Sequence, residues 1–116
     1  SIYLDENKKK LLIADEGKYL VYVYDFDTNR FINLFGYMIF DNEPEGISKF
    51  KNYWICTNQS KTLNRFIFIN DETFNEEFEI KDNINTTNTD GICVFENKLF
   101  AINNDCQVVC YEIDIK

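Results

Sequence analysis

The chain has 116 residues, a formal net charge of −8, no histidine, and 45% hydrophobic and 16% aromatic residues. This apolar content excludes a disordered tail, because its burial offsets the entropy of ordering, and the length suffices for one domain with a core. The acidic balance and the lack of a long basic run argue against nucleic-acid binding. No apolar stretch of about 18 residues and no signal-peptide pattern occurs, so we predict no contact with a membrane.

The predicted elements are all β-strands, because Phe, Tyr, Ile and Val dominate the apolar residues and no segment shows a helical period. Short β-rich runs, separated by turn residues, follow one another in three groups. In chain order they are 11–14, 20–26 and 31–35, then 46–50, 53–57, 64–69 and 74–80, then 91–95, 98–102 and 107–113. The last group lacks a fourth strand, and the stretch 83–89 is predicted to be a loop.

The groups repeat one another. Glu45-Gly46-Ile47 matches Asp90-Gly91-Ile92 at an offset of 45 residues, and the same register continues to place Phe66 on Tyr111 and Phe68 on Ile113. An earlier copy has Ser1-Ile2 in the Gly-Ile place, and Leu12 to Asp15 then matches Trp54 to Thr57. A period of about 42–45 residues is typical of four-stranded propeller blades.

We therefore predict an all-β fold, a β-propeller of about three four-stranded blades, or half of a six-bladed ring. The repeats would cover approximately residues 1–44, 45–89 and 90–116, the last without its outer strand. A β-sandwich or a solenoid is the alternative, but a sandwich does not require the sequence to repeat in register. Three blades leave exposed edges. We expect either a homo-oligomer or a fragment, since the chain begins with Ser1, that missing blades complete.

Two expectations concern buried side chains. Ile13, Ile55 and Ile102 are predicted to pack near the shared core of the blades. The four cysteines form no CxxC motif or metal-binding pair of pairs. Cys106 and Cys110 could bracket a hairpin and form a disulfide, but buried or strand-borne free thiols are the favoured interpretation.

Polar residues recur where the first strand of a blade begins and where the second strand ends. Consecutive strands are antiparallel, so these positions share one face of the propeller. Their carboxylate and amide oxygens, without sulfur or imidazole, suit calcium. The alternative is that they only form turns through Asx-type hydrogen bonds. The residues on this face are Asp15, Glu16, Glu43, Glu45, Asn58, Gln59, Asp90, Asn103 and Asn104.

Four short motifs on this face resemble, in order and approximate spacing, the C-terminal half of the β-propeller phytases. They are Ala14-Asp15-Glu16, Glu43-Pro44-Glu45-Gly46-Ile47, Thr57-Asn58-Gln59-Ser60 and Thr89-Asp90-Gly91-Ile92, and the resemblance covers nearly the whole chain. That family forms six-bladed propellers and hydrolyses inositol phosphates with several calcium ions. The resemblance implies calcium ligation by Glu16, Glu43, Glu45, Gln59 and Asp90.

The same resemblance implies a calcium-dependent phosphomonoester hydrolase, with Glu16 and Glu45 in catalysis and a phosphorylated small molecule as substrate. Calcium would bridge the phosphates and lower the pKa of an attacking water. A secreted or periplasmic location would follow.

Departures from the family favour a second interpretation. Glu43 stands where the family usually has Asp, and Asn83 to Asn88 offers only neutral oxygens. The family's phosphate-binding Lys, Arg and Tyr residues lie in its N-terminal half, which has no counterpart in this sequence. We therefore expect a partial or incomplete site. The alternative is a non-catalytic propeller that serves as a binding or scaffold module and retains the calcium-site loops. A lactonase-type propeller is a third possibility, but it is supported only by the propeller architecture that it shares with the predicted fold.

Overall fold

The computed structural model describes residues 1–35, 44–59 and 62–115, without the side chains of Glu16, Leu34, Phe35 and Gln59. Within these ranges it contains eleven β-strands and one 3-10 turn, Glu16–Lys18. No helix in the described part of the chain is both long enough and apolar enough to cross a membrane. The strands are β1 Ile2–Asp5, β2 Lys10–Asp15, β3 Leu20–Asp25, β4 Arg30–Phe35, β5 Ile47–Phe50, β6 Tyr53–Gln59, β7 Asn64–Asn70, β8 Glu76–Asp82, β9 Thr89–Phe95, β10 Lys98–Asn103 and β11 Val108–Glu112.

The strands form three antiparallel sheets that follow chain order, and we call them blades 1, 2 and 3. Blade 1 contains β1 to β4, blade 2 contains β5 to β8, and blade 3 contains β9 to β11 among the described residues. The first strand of the middle blade, β5, contacts both β1 and β9, so the three first strands lie side by side. This arrangement confirms the predicted all-β propeller of about three blades.

Each pair of neighbouring blades encloses its own apolar core. We call the face of a blade toward the preceding blade its upstream face, and the face toward the next blade its downstream face. Between blades 1 and 2 the downstream side chains Leu12, Ala14, Val21 and Val23 pack on Ile47, Trp54, Cys56, Ile67 and Ile69. Between blades 2 and 3 the downstream side chains Phe50, Ile55, Phe66 and Phe68 pack on the blade 3 side chains Leu99, Ala101 and Ile113.

The match between blade 1 and blade 2 that we predicted is wrong by one residue. Leu12 pairs with Tyr3 as Ile55 pairs with Ser48, so Leu12 is the counterpart of Ile55 and not of Trp54. A shift of one residue moves a strand's side chains to the opposite face of the sheet. The difference arises in the first hairpin, where four residues separate the paired Asp5 and Lys10 but only Lys51 and Asn52 separate the corresponding pair.

The match between blades 2 and 3 holds through β10 and then changes. Trp54 pairs with Ile69, and its counterpart Leu99 pairs with Tyr111, so Tyr111 corresponds to Ile69 rather than to the predicted Phe66. The cause is that the second hairpin of blade 3 is shorter than that of blade 2. Residues 58–65 connect the paired Thr57 and Phe66, whereas only residues 103–107 connect the paired Ile102 and Val108. The predicted match of Phe68 with Ile113 fails for the same reason.

The prediction for the three isoleucines is correct only in part. Ile55 is fully buried, Ile13 is half-buried, and Ile102 is 45% exposed, so Ile102 does not pack in a core. Ile102 occupies the position of Thr57, at the end of the second strand.

All four cysteines are free thiols, which confirms the favoured interpretation over a Cys106–Cys110 disulfide. Cys56 is buried, Cys93 and Cys110 lie on β9 and β11, and only Cys106 is neither buried nor on a strand. Burial raises the pKa of the Cys56 thiol to about 12.

Candidate functional site

The polar positions singled out in the sequence lie at one edge of the blades, which we call the loop face. It is the edge at which the first strand of each blade begins and the second strand ends, and it carries Glu45, Thr57, Asp90 and Asn103. The offset of 45 residues holds here, so Glu45 and Asp90 occupy equivalent places on neighbouring blades.

Glu45 begins the loop face of blade 2, and its backbone is fixed by the end of β6. The Thr57 hydroxyl accepts hydrogen bonds from the backbone N–H groups of Glu45 and Gly46, both at 2.9 Å. Thr57 is only 1% exposed, and Glu45 is half-buried. Gly46 allows the next blade to approach closely, because a Cβ atom there would lie 3.1 Å from Ile92 Cγ1 and 3.3 Å from Ile92 N. This segment therefore joins two blades as well as bearing a carboxylate.

Asn103 ends β10 and organises the turn that follows. Its Oδ1 accepts hydrogen bonds from the backbone N–H groups of Asp105 and Gln107, each at 3.0 Å. Its Nδ2 donates to Gln107 Oε1 at 3.1 Å. Asn103 is 6% exposed, so its amide serves the turn. This is the Asx-type role that the sequence offered as the alternative to calcium ligation.

Asp90, the fifth predicted calcium ligand, is exposed and bonded to an amide. In the orientation that satisfies both groups, Asn104 Nδ2 donates to Asp90 Oδ2 at 2.7 Å. The backbone N–H of Asn104 also donates to the carbonyl of Asn88, at 3.0 Å. These two contacts tie the β10–β11 turn to the start of β9.

Asp82 is the residue of this face that sequence reasoning missed. Its Oδ1 accepts from the backbone N–H groups of Ile84 and Asn85, both at 2.9 Å, and its Oδ2 accepts from Tyr111 Oη at 2.6 Å. Burial alone would raise the pKa of Asp82, but the hydrogen bonds from Tyr111 and from Asn85 and Ile84 lower it to about 2. Burial and the Asp82 carboxylate together raise the pKa of Tyr111 above its usual range. The local signal was an Asp at the end of a strand, two residues before Ile84, which is typical of an Asx turn.

The predicted calcium site as a whole stays a prediction. Glu43 lies outside the described residues, as do the side chains of Glu16 and Gln59. Glu45 and Asp90 are described, and both lie on the loop face. In the ranges that the structure describes, no three or more Asp, Glu, His or Cys residues are grouped so that they could hold a metal ion.

Comparison with known proteins identifies the architecture. No family model matches the chain, and no curated protein does. Among solved structures, the β-propeller domain of Myceliophteria thermophila Cps50 (Swd1) has a TM-score of 0.75 at 12% identity, and the match covers 98% of this chain and 35% of that one. A chain of the mitotic checkpoint complex has a TM-score of 0.77 at 12% identity, with coverages of 97% and 33%.

A third similar structure, the computationally designed Ika4 protein, has a TM-score of 0.70 at 11% identity, with coverages of 97% and 64%. This chain therefore spans about a third of the first two proteins. Identities this low indicate shared fold alone, and the fold that they share with this chain is a β-propeller.

Proposed function

We propose that the chain is a non-catalytic β-propeller module that presents its loop face to a protein partner. The observation that carries this proposal is the use of the oxygen atoms on that face. The side-chain oxygens of Thr57, Asp82 and Asn103 accept hydrogen bonds from backbone amides of their own or adjoining turns. Groups bonded in this way hold loops in a fixed shape, and fixed loops on a propeller are a binding surface that loses little entropy when a partner docks.

Among the large apolar side chains of the described ranges, Ile84 is the most exposed. It is 86% exposed, while its backbone N–H is held by Asp82 Oδ1 at 2.9 Å. An apolar side chain on an ordered loop is a typical contact residue of a protein interface. Of the three similar structures described above, one is named as a complex, the mitotic checkpoint complex, and it gives a precedent for a propeller-bearing assembly.

The test is a comparison of partner capture by two matched variants. Affinity capture from extracts of the source cells would use the wild-type chain, Ile84→Asp, and Asp27→Asn as an exposed control at the opposite edge of blade 1. We expect the wild type and the control to retain the same stoichiometric protein and Ile84→Asp to lose it at unchanged melting temperature. Equal capture by all three would contradict a role of this loop.

A calcium-dependent phosphomonoester hydrolase is the second candidate function. It is supported by the four phytase-like motifs in order and by the shared location of Glu45 and Asp90 on the loop face. If this candidate is correct, inositol hexakisphosphate should be hydrolysed only with calcium, and Glu45→Gln should remove the activity. Our proposal expects no phosphate release above the buffer background in either chain.

A further inference from the structure

The downstream face of blade 3 and the upstream face of blade 1, at the two ends of the row of blades, are both broadly apolar. On the downstream face of blade 3, Phe95 is 66% exposed, Val108 is 65% exposed and Ile102 is 45% exposed. On the upstream face of blade 1, Ile2 is 69% exposed and Leu4 is 50% exposed. Contiguous exposed apolar surface of this kind marks a site of association.

The repeat indicates what kind of surface fits the downstream face of blade 3. Phe95, Phe100 and Val108 take the positions of Phe50, Ile55 and Phe66 in blade 2, according to the strand registers. Those three side chains of blade 2 are 6%, 0% and 0% exposed because an upstream face of the next blade packs on them. The downstream face of blade 3 therefore repeats the downstream face of blade 2, and the upstream face of another blade would fit it.

The upstream face of blade 1 is the matching surface. Ile2, Leu11 and Ile13 take the positions of Ile47, Trp54 and Cys56, which pack on the preceding blade. Tyr22 and Tyr24 take the positions of Ile67 and Ile69. Ile13, Tyr22 and Phe31 line an apolar groove of about 700 Å³ on this face. Its central positions are uncharged, so two chains of net charge −8 can approach here without opposing carboxylates.

We propose that the downstream face of blade 3 binds the upstream face of blade 1 of a second copy of this chain. Two copies bound reciprocally contribute three blades each, and the resulting six blades lie within the range of about four to eight that closes a propeller. Each contact is heterologous, with different surfaces on the two chains, and rotation closes the pair. This inference does not depend on the function proposed for the loop face.

The glycine of the repeat gives the proposal a specific contact. Gly46 allows Ile92 of the next blade to approach closely, because a Cβ atom there would lie 3.1 Å from Ile92 Cγ1, which is tighter than most Cβ contacts. Gly91 is the counterpart of Gly46, and a Cβ atom on Gly91 would meet only Ile102 Cγ2, at 3.7 Å. Ile2 is the blade 1 counterpart of Ile92. In the closed pair, Ile2 of the second copy would therefore lie against Gly91.

Complementation between two variants tests the heterologous geometry. Phe95→Asp places a carboxylate in the apolar downstream face of blade 3, and Leu4→Asp places one in the apolar upstream face of blade 1. Both residues are exposed in the single chain, so folding should be retained. Sedimentation of the wild type at micromolar concentration should give twice the 13.8 kDa of one chain. Each variant alone should sediment as a monomer. Mixed together, they should restore dimers, because one interface then joins two unaltered faces. Ile84→Asp, the matched control on the loop face, should assemble like the wild type.

Thiol labelling gives a second readout on the unmodified chain. Cys93 and Cys110 lie on the downstream face of blade 3, on either side of Phe100, and both are exposed in one chain. Labelling of these two thiols should slow about tenfold on assembly, while Cys106 in the adjoining turn keeps its rate. A wild-type monomer whose three exposed thiols react alike would overturn the proposal. Dimers of either single variant would also overturn it, because they would show two identical faces in contact.

Discussion

Asp82 and Tyr111 join blade 2 to blade 3 at the loop face. The hydroxyl of Tyr111, on β11, donates to Asp82 Oδ2 at 2.6 Å, and Asp82 is 9% exposed. A hydrogen bond to a buried carboxylate contributes more than one between neutral groups. The Tyr111 ring also packs on Phe66, with ring centroids 4.9 Å apart. One side chain of blade 3 thus combines apolar packing with a charged hydrogen bond across the blade interface.

Acid should weaken this link through Asp82. Because its folded pKa of about 2 lies below the ordinary value of 3.8, the carboxylate stabilises the fold above pH 3.8 and loses this effect as the pH falls toward 2. The maximum contribution is about 2 kcal/mol. We expect Asp82→Asn to be less stable than the wild type by about 1–2 kcal/mol near neutral pH, and the gap to narrow toward pH 2. Urea unfolding across this pH range measures it, and a gap that does not change with pH would contradict the link.

The two repeat-equivalent glycines should respond differently to alanine. Gly46→Ala places a methyl group 3.1 Å from Ile92 Cγ1 and 3.3 Å from its backbone nitrogen, so Ile92 must shift by a few tenths of an ångström, at a cost of about 1–3 kcal/mol. Gly91→Ala meets only Ile102 at 3.7 Å and should change the free energy of unfolding of the dilute monomer by less than about 0.5 kcal/mol. Chemical denaturation of both variants is the measurement. Equal losses would show that the inter-blade contact at Gly46 is not what requires glycine.

At the scale of the strands, a charged cluster fastens blade 1 to blade 2 at the edge opposite the loop face. Lys49 on β5 contacts the carboxylate of Asp5 at the end of β1, and its Nζ lies 2.7 Å from Asp71 Oδ2 in the β7–β8 turn. Trp54 Nε1 donates to Asp5 Oδ2 at 2.8 Å. Asp5 and Asp71 are 4% and 3% exposed. Burial opposes ionisation of Asp5, but the bonds from Lys49 and Trp54 hold its pKa below the usual range.

Removing the Lys49 cation from this cluster should lower the free energy of unfolding. Lys49→Met leaves the buried Asp5 carboxylate without its cationic partner, while Asp71 keeps Lys8 Nζ at 3.5 Å. Breaking a buried ion pair in this way typically destabilises a fold by about 3–5 kcal/mol. Lys51→Met is the matched control, because Lys51 is exposed in the adjoining turn and lies over the Phe50 ring at 5.2 Å, a contact worth about 0.5–1 kcal/mol. Equilibrium unfolding compares them. If both variants lose the same stability, the cluster does not hold the two blades together.

The strand pattern of the sequence predicted the elements better than it predicted their register. Alternation and turn residues located ten of the eleven described strands; β1, Ile2–Asp5, was not among the predicted runs, although the repeat placed Ser1-Ile2 at the start of the first copy. The register of β2 and β11 failed because both errors arise in hairpins of unequal length, around residues 6–9 and 103–107. Hairpin length is not visible in a repeat of apolar residues, yet it decides which face of the sheet each side chain occupies.

At the scale of the whole molecule, the sequence predicted which residues share a face but not how their atoms are bonded. Radial repetition of antiparallel strands is sufficient to place Glu45, Asp90 and Asn103 at one edge. The roles of these groups depend on local turns: Asn103 bonds two backbone amides, and Asp90 bonds Asn104. The same residue types form turns and bind calcium, so composition alone could not separate the two functions.

Thermal melting with calcium and with a chelator tests most directly that this propeller is a binding module without a calcium centre. A ligand that binds only the folded state at about a hundred times its Kd stabilises that state by about 2.7 kcal/mol, which is readily visible in a melting curve. We expect the melting temperature of the wild type to be the same with millimolar calcium as with EDTA, and Glu45→Gln to behave identically. A calcium-dependent rise that Glu45→Gln abolishes would contradict this and establish the phytase-like site.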